Sequence, residues 1–172
     1  MGWKKIVLIL ALAVVLVSII FVLFFAPKNQ PPVNPTNLVV NKTRVGIEQI
    51  ALLLYSIKAY ELHNPPFSKN TPKIEISIEN EAFNSEIING KIKTQKGAIN
   101  NKDIQIKTSK SEFLKILNSK DIKKELQNSA ETGNLEIEMR AGKLELASKG
   151  YLNIYKEVTG KSLIGNIIKS LN

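Results

Sequence analysis

From Ile6 to Ala26 the chain carries no charge and one polar side chain, Ser18. In a helix rising about 1.5 Å per residue, this run reaches about 32 Å, enough to cross a hydrocarbon core of roughly 30 Å. The pattern predicts a transmembrane signal-anchor helix within residues 1–27. A cleaved signal peptide is the rival, but its apolar core is shorter and ends in small residues, whereas this run closes on Phe24, Phe25, Ala26 and Pro27. Lys4 and Lys5 precede the span and Trp3 stands at its interface, which favours a cytoplasmic amino end and places the following domain on the extracytoplasmic side.

Residues 28–37 are rich in proline and poor in bulky apolar side chains, which predicts a semi-rigid stalk. The patterned region then runs from residue 38 to 172. Between Thr43 and Leu62, apolar residues including Val45, Ile50, Leu53, Leu54 and Ile57 recur at spacings of three and four, predicting an amphipathic helix ended by Asn64-Pro65-Pro66. The period then drops to two. Ile74, Ile76 and Ile78, then Ile88, Gly90, Ile92 and Thr94, then Ile104, Ile106 and Thr108 alternate with polar residues, predicting strands with one wet face. Ser109 and Glu112 offer caps to a short helix through Phe113 and Leu117, and another carries Ile122 and Leu126. Leu135–Met139 and Lys143–Leu146 alternate again and predict two strands. From Tyr151 the spacing is helical, pausing at Gly160 and resuming with Leu163, Ile164, Ile167, Ile168 and Leu171. Strands grouped apart from helices predict an α+β domain: a single, mostly antiparallel sheet covered by helices, preceded by one transmembrane helix.

Composition narrows the chemistry. The 172 residues include no cysteine and one histidine, which excludes disulfide scaffolds, thiolate metal sites and multi-histidine metal clusters. His63 sits at a predicted helix end, where capping is the simpler role. Gly160-Lys161-Ser162 lacks the earlier glycine of a phosphate loop, since Tyr155 stands there, so a helix break accounts for it. Glu136, Glu138 and Glu145 are candidates for a carboxylate cluster, but alternating strands place them on a solvated face. No catalytic residues, metal ligands or cofactor are expected, and the chain reads as a non-enzyme. The 24 basic and 15 acidic side chains leave a net charge of +9. The lysines lack the arginine and aromatic interleaving of nucleic-acid binders, so no nucleic acid is expected; a solvated face or anionic lipid headgroups account for them better. Asn41-Lys42-Thr43 is a sequon, which makes Asn41 a candidate glycosylation site.

Four segments carry a family resemblance: Asn89-Gly90-Lys91-Ile92 leading to Gly97, Asp103 through Ser109, Glu112 through Leu117, and Gly133 through Ile137. In this order, the stretch from Ile74 to about Tyr155 resembles the sterol carrier protein type 2 family of small lipid-binding domains. The resemblance implies a fatty acid, sterol or other apolar ligand held between sheet and helices. It points to Ile104, Ile106, Phe113, Leu114, Leu117, Leu144 and Leu146 as lining, with Ile164 and Ile168 as a lid. Ordinary core packing is the plainer account of each. The expectation is a membrane-tethered, non-catalytic lipid-binding module whose partners are the bilayer, through its amino-terminal helix, and a lipid ligand. The alternative is a membrane-anchored surface or assembly protein, pilin-like included, with a filled core and no ligand.

Overall fold

The computed structural model describes residues 43–161. The anchor from Ile6 to Ala26, the stalk, Asn41 and the tail positions Ile164 and Ile168 lie outside the described residues. Among the described residues, no helix is long and apolar enough to cross a membrane.

Helix α1 (Ile47–Ser56) opens the domain and is followed by a 3-10 turn, Ala59–Glu61. Strands β1 (Lys73–Ile78), β2 (Glu81–Ile88), β3 (Lys91–Lys96) and β4 (Ile104–Thr108) come next. Helices α2 (Lys110–Asn118) and α3 (Ile122–Glu131) lead to β5 (Leu135–Met139), and α4 (Lys143–Ser148) and α5 (Tyr151–Thr159) complete the order. The five strands form one sheet in the order β3-β2-β1-β4-β5. Three pairings are antiparallel and the central β1–β4 pairing is parallel, so the sheet is mixed. The parallel pair arises because β4 does not hairpin onto β1. It enters the sheet beside β1 after the β2–β3 excursion, and the Asp103 N–H bonds the Lys73 carbonyl at 2.9 Å to start the register.

Register explains the two faces. Ile74, Ile76 and Ile78 align with Ile104, Ile106 and Thr108 on β4 and with Ser85, Phe83 and Glu81 on β2. The isoleucines and Phe83 of this face join Ile50, Leu53, Leu54, Phe113, Leu117, Leu126, Ile154 and Val158 in one buried apolar cluster. The other face carries Glu75, Gln105, Lys107 and Glu138.

Four local expectations are corrected. The helix expected over residues 43–62 is shorter, because Lys58 turns left-handed at φ 60 and the chain tightens into the 3-10 turn. The alternation from Ile88 to Thr94 is not one strand. Asn89 and Gly90 take φ 51 and 75, the two positive values of a type I′ hairpin turn, and so close β2 onto β3. Lys143–Leu146 is not a strand but the start of α4. Residues two apart on a helix lie about 200° apart, so the same Leu-Glu-Leu alternation leaves Leu144 85% exposed and Leu146 only 3% exposed. Finally, Glu75 and Asp103, polar residues of the alternation whose period placed them on the wet face, are both 2% exposed.

The expected cap of α2 is present: the Ser109 hydroxyl accepts the Glu112 N–H at 3.1 Å. The structure adds a cap to α3, where the Asp121 carboxylate accepts the Lys124 N–H at 2.9 Å. Gly160, at φ 69, ends α5 where the sequence pauses.

Candidate functional site

Where α1 begins, the chain crosses the end of the β2–β3 hairpin and leaves an open groove of about 370 Å³. Its walls are Arg44 through Gln49 on the helix side and Glu81, Phe83 and Lys96 on the sheet side. Ile47 lies 46% exposed in this groove, while Phe83 is the buried floor. Gly46 lets the Gln49 side chain lie close against the backbone: a Cβ there would meet the Gln49 Oε1 at 2.9 Å. The Lys96 ammonium lies 6.0 Å above the Phe83 ring and 2.6 Å from the Glu81 carboxylate. That hydrogen bond and the Lys96 charge hold Glu81 below the usual carboxylate range. The groove therefore offers an apolar floor and wall with two cations, Arg44 and Lys96, and two carboxylates, Glu48 and Glu81, around it.

The residues expected to line a ligand tunnel divide three ways. Ile104, Ile106, Phe113, Leu117 and Leu146 are brought together, each at most 3% exposed, in the buried cluster. Leu114 packs partly against that cluster. Leu144 does not join it, because α4 turns it outward. None of these residues lines the groove beside α1.

A second group escaped the sequence reading. Asp103, Lys149 and Tyr151 form a buried polar cluster where β1 and β4 begin, with Lys149 and Tyr151 at most 1% exposed. The Lys149 ammonium donates to the Asp103 Oδ1 at 2.7 Å and to the Thr71 carbonyl at 3.4 Å, and pairs with Glu145 at 2.9 Å. The other Asp103 oxygen accepts the Tyr151 hydroxyl at 2.9 Å and the Lys73 N–H at 2.7 Å. Burial, together with the Asp103 charge, pushes the Tyr151 hydroxyl well above its ordinary value of 10.0. Every ammonium proton here has an acceptor, so the cluster works as an internal pin. Asp103 and Lys149 stand 46 residues apart, a separation that leaves no motif to find.

The outer sheet face is also internally satisfied. Gln105 donates to Glu75 at 2.9 Å and accepts from Arg140 at 3.0 Å, while Glu138 binds both Lys107 and Arg140. Glu145 lies apart on α4, so Glu136, Glu138 and Glu145 do not converge into one acid-base pair. No group of three acidic, histidine or cysteine side chains able to hold a metal occurs among the described residues. His63 is exposed and its Nδ1 donates to the Glu61 carbonyl at 3.2 Å, a capping contact.

The Glu75 carboxylate sets a pH dependence. Burial raises its pKa, but the Lys102 hydrogen bond at 2.6 Å, the Ile99 N–H at 3.0 Å and the Lys102 charge outweigh that, leaving it below 4.5. A group lowered in the folded state contributes stability that is complete above its unfolded value and lost as pH falls through the folded one. Urea midpoints are therefore expected to drop between pH 5 and pH 2, roughly the window over which a lowered carboxylate is protonated. The Glu75→Gln variant should show a shallower drop; an unchanged slope would remove Glu75 from this account.

No family model matches the chain, and no curated protein matches it. Among solved structures, the sec-alkylsulfatase PisA1 is 13% identical with a TM-score of 0.42, covering 70% of this chain but 17% of the enzyme. The "UbiJ-SCP2 Ubiquinone synthesis protein" is 9% identical with a TM-score of 0.35, covering 60% of this chain and 79% of that one. Palmitated SCP2L2 from Aedes aegypti is 17% identical with a TM-score of 0.38, covering 64% and 96%. Likenesses this loose define no family. The structure itself defines a small α+β domain with a mixed five-stranded sheet.

Proposed function

We propose that this chain is a membrane-tethered, non-catalytic module that binds an apolar ligand, a fatty acid, sterol or other lipid, in the groove between α1 and the β2–β3 hairpin. The observation that carries the reading is that groove: about 370 Å³, floored by Phe83 and walled by Val45 and the half-exposed Ile47. Its size falls within the roughly 300–1,000 Å³ of small-molecule sites. Arg44 at its side suits an anionic head, Lys96 being paired with Glu81, so an amphiphile with a carboxylate or phosphate fits better than a bare hydrocarbon. The tether is supported by the apolar run from Ile6 to Ala26, and its orientation, with the domain outside the cytoplasm, by Lys4 and Lys5 before that run. The resemblance of the Ile74–Tyr155 stretch to sterol carrier protein type 2 domains points to the same ligand class.

The test uses residues 37–172, purified, checked for folding by circular dichroism, and titrated with a fluorescent fatty acid. Uptake is expected, with co-purified lipid found on extraction and mass spectrometry. Covering the exposed half of Ile47 contributes about 1 kcal/mol, so Ile47→Asp should weaken uptake about fivefold while the fold persists. Folded protein without lipid and without uptake would sink the reading. That outcome would favour the second one, a surface or assembly protein with a filled core, which the burial of Ile104, Ile106, Phe113 and Leu117 supports.

A further inference from the structure

Three large apolar side chains are exposed among the described residues, Ile47, Phe67 and Leu144. Ile47 belongs to the groove; the other two do not. Phe67 is fully exposed, and its backbone takes φ 62, a left-handed conformation that a bulky side chain rarely adopts. Neither packing nor backbone preference accounts for a phenylalanine there. The loop is nonetheless held in shape: the Ser68 N–H bonds the Pro65 carbonyl at 3.0 Å, the Asn70 N–H bonds the Ser68 hydroxyl at 3.0 Å, and two prolines precede the tip.

The same loop is fastened to α4. Asn70 donates to the Glu145 carboxylate at 2.7 Å, and the buried Lys149 binds both Glu145 and the Thr71 carbonyl. Phe67 lies three residues before the tie on one side and Leu144 one residue before it on the other, so this hydrogen bond brings together the two segments that carry the exposed apolar side chains. The flanking exposed charges are chiefly positive, Lys69 beside Phe67 and Lys143 beside Leu144. Glu145, the acid between them, is occupied by Lys149 and Asn70. Glu61 is the exposed acid nearest in the chain, beyond Leu62 and His63.

We infer that the Pro65–Asn70 loop and the first turn of α4 form a docking surface for an anionic bilayer, with Phe67 and Leu144 entering the interface and Lys69 and Lys143 meeting the headgroups. Scattered exposed apolar residues are ordinary on protein surfaces. A strained aromatic tip paired with an exposed leucine and framed by lysines has the composition of a membrane-interface contact. The membrane rather than a protein is the occupant because the cations frame the apolar tips. A chain tethered through residues 6–26 would also stay within reach of a bilayer, since residues 27–42 extend at most about 55 Å. This inference shares the tether with the proposed function but not its ligand groove.

The experiment uses the full chain with vesicles of phosphatidylcholine and phosphatidylserine whose acyl chains carry bromine, a fluorescence quencher. Trp3 is the only tryptophan, so in a Trp3→Phe background the Phe67→Trp variant reports from the loop alone. Its emission is expected to shift to the blue and to be quenched several-fold more than that of Lys91→Trp on the β3 edge. Leu144→Trp, on a helix surface, provides a second reporter, and adding Lys69→Glu and Lys143→Glu should remove the excess quenching. Equal quenching at positions 67, 144 and 91 would overturn the inference and leave the patch to a protein partner. Vesicle sedimentation reports the tether separately, and fatty-acid uptake by the Ile47 pair of proteins reports the groove.

Discussion

Replacing Lys149 by Met is expected to lower the stability of the domain by about 3–5 kcal/mol, the usual cost of removing one partner from a buried ion pair. The ammonium is fully buried and its Asp103 partner nearly so. The substitution strands the Asp103 carboxylate with only the Tyr151 hydroxyl and the Lys73 N–H as donors. It also frees Glu145, which would keep only Asn70 of its two partners. The damage should spread, because the pin joins the start of β1, the start of β4 and the α4–α5 junction. Tyr151→Phe removes one hydrogen bond from the same carboxylate while leaving the charge pair, and should cost about 1 kcal/mol. Urea unfolding of both variants followed by far-ultraviolet circular dichroism gives the comparison. Equal, small losses would mean that Lys149 is not a buried charge partner in solution.

Phe113→Ala is expected to cost about 3–5 kcal/mol, the range for emptying a large aromatic site in a close-packed core. Phe113 is fully buried on α2 and belongs to the same cluster as Ile104, Ile106 and Leu117. The substitution separates two descriptions of these residues. In a filled core, truncation leaves a void, the full cost appears, and fatty-acid uptake in the α1 groove is unchanged. If Phe113 instead bordered a ligand tunnel, the loss would be smaller and the enlarged space would raise uptake. Denaturation midpoints and fluorescent fatty-acid titrations on the same preparation distinguish the two.

Local patterns were readable wherever one side chain's neighbours along the chain decide its environment. Period-two isoleucines marked β1 and β4, and Ser109 with Glu112 marked the start of α2, because pleat and capping are short-range geometry. Two failures have separate causes. Lys143–Leu146 is four residues long, too short for its alternation to separate a strand from a helix. Ile88–Thr94 kept its alternation through Asn89-Gly90, where a two-residue turn reverses the chain without disturbing parity. The sites were less legible. Glu75 and Asp103 read as wet because alternation reports a face and not what folds over it. The 97–102 loop covers Glu75, and Lys149 from the α4–α5 junction and Tyr151 from α5 cover Asp103.

By itself, then, the sequence determined the α+β class, most elements, the apolar run before the domain and the lack of cysteine or clustered histidine, since each follows from residue type and spacing. Only the tertiary structure decided that β1 and β4 run parallel, that Ile104, Ile106 and Phe113 fill a core, and that an open groove lies beside α1. It also decided that Phe67 and Leu144 face solvent on two segments tied together. These depend on which distant segments meet, and contacts between residues tens of positions apart leave no period in the chain.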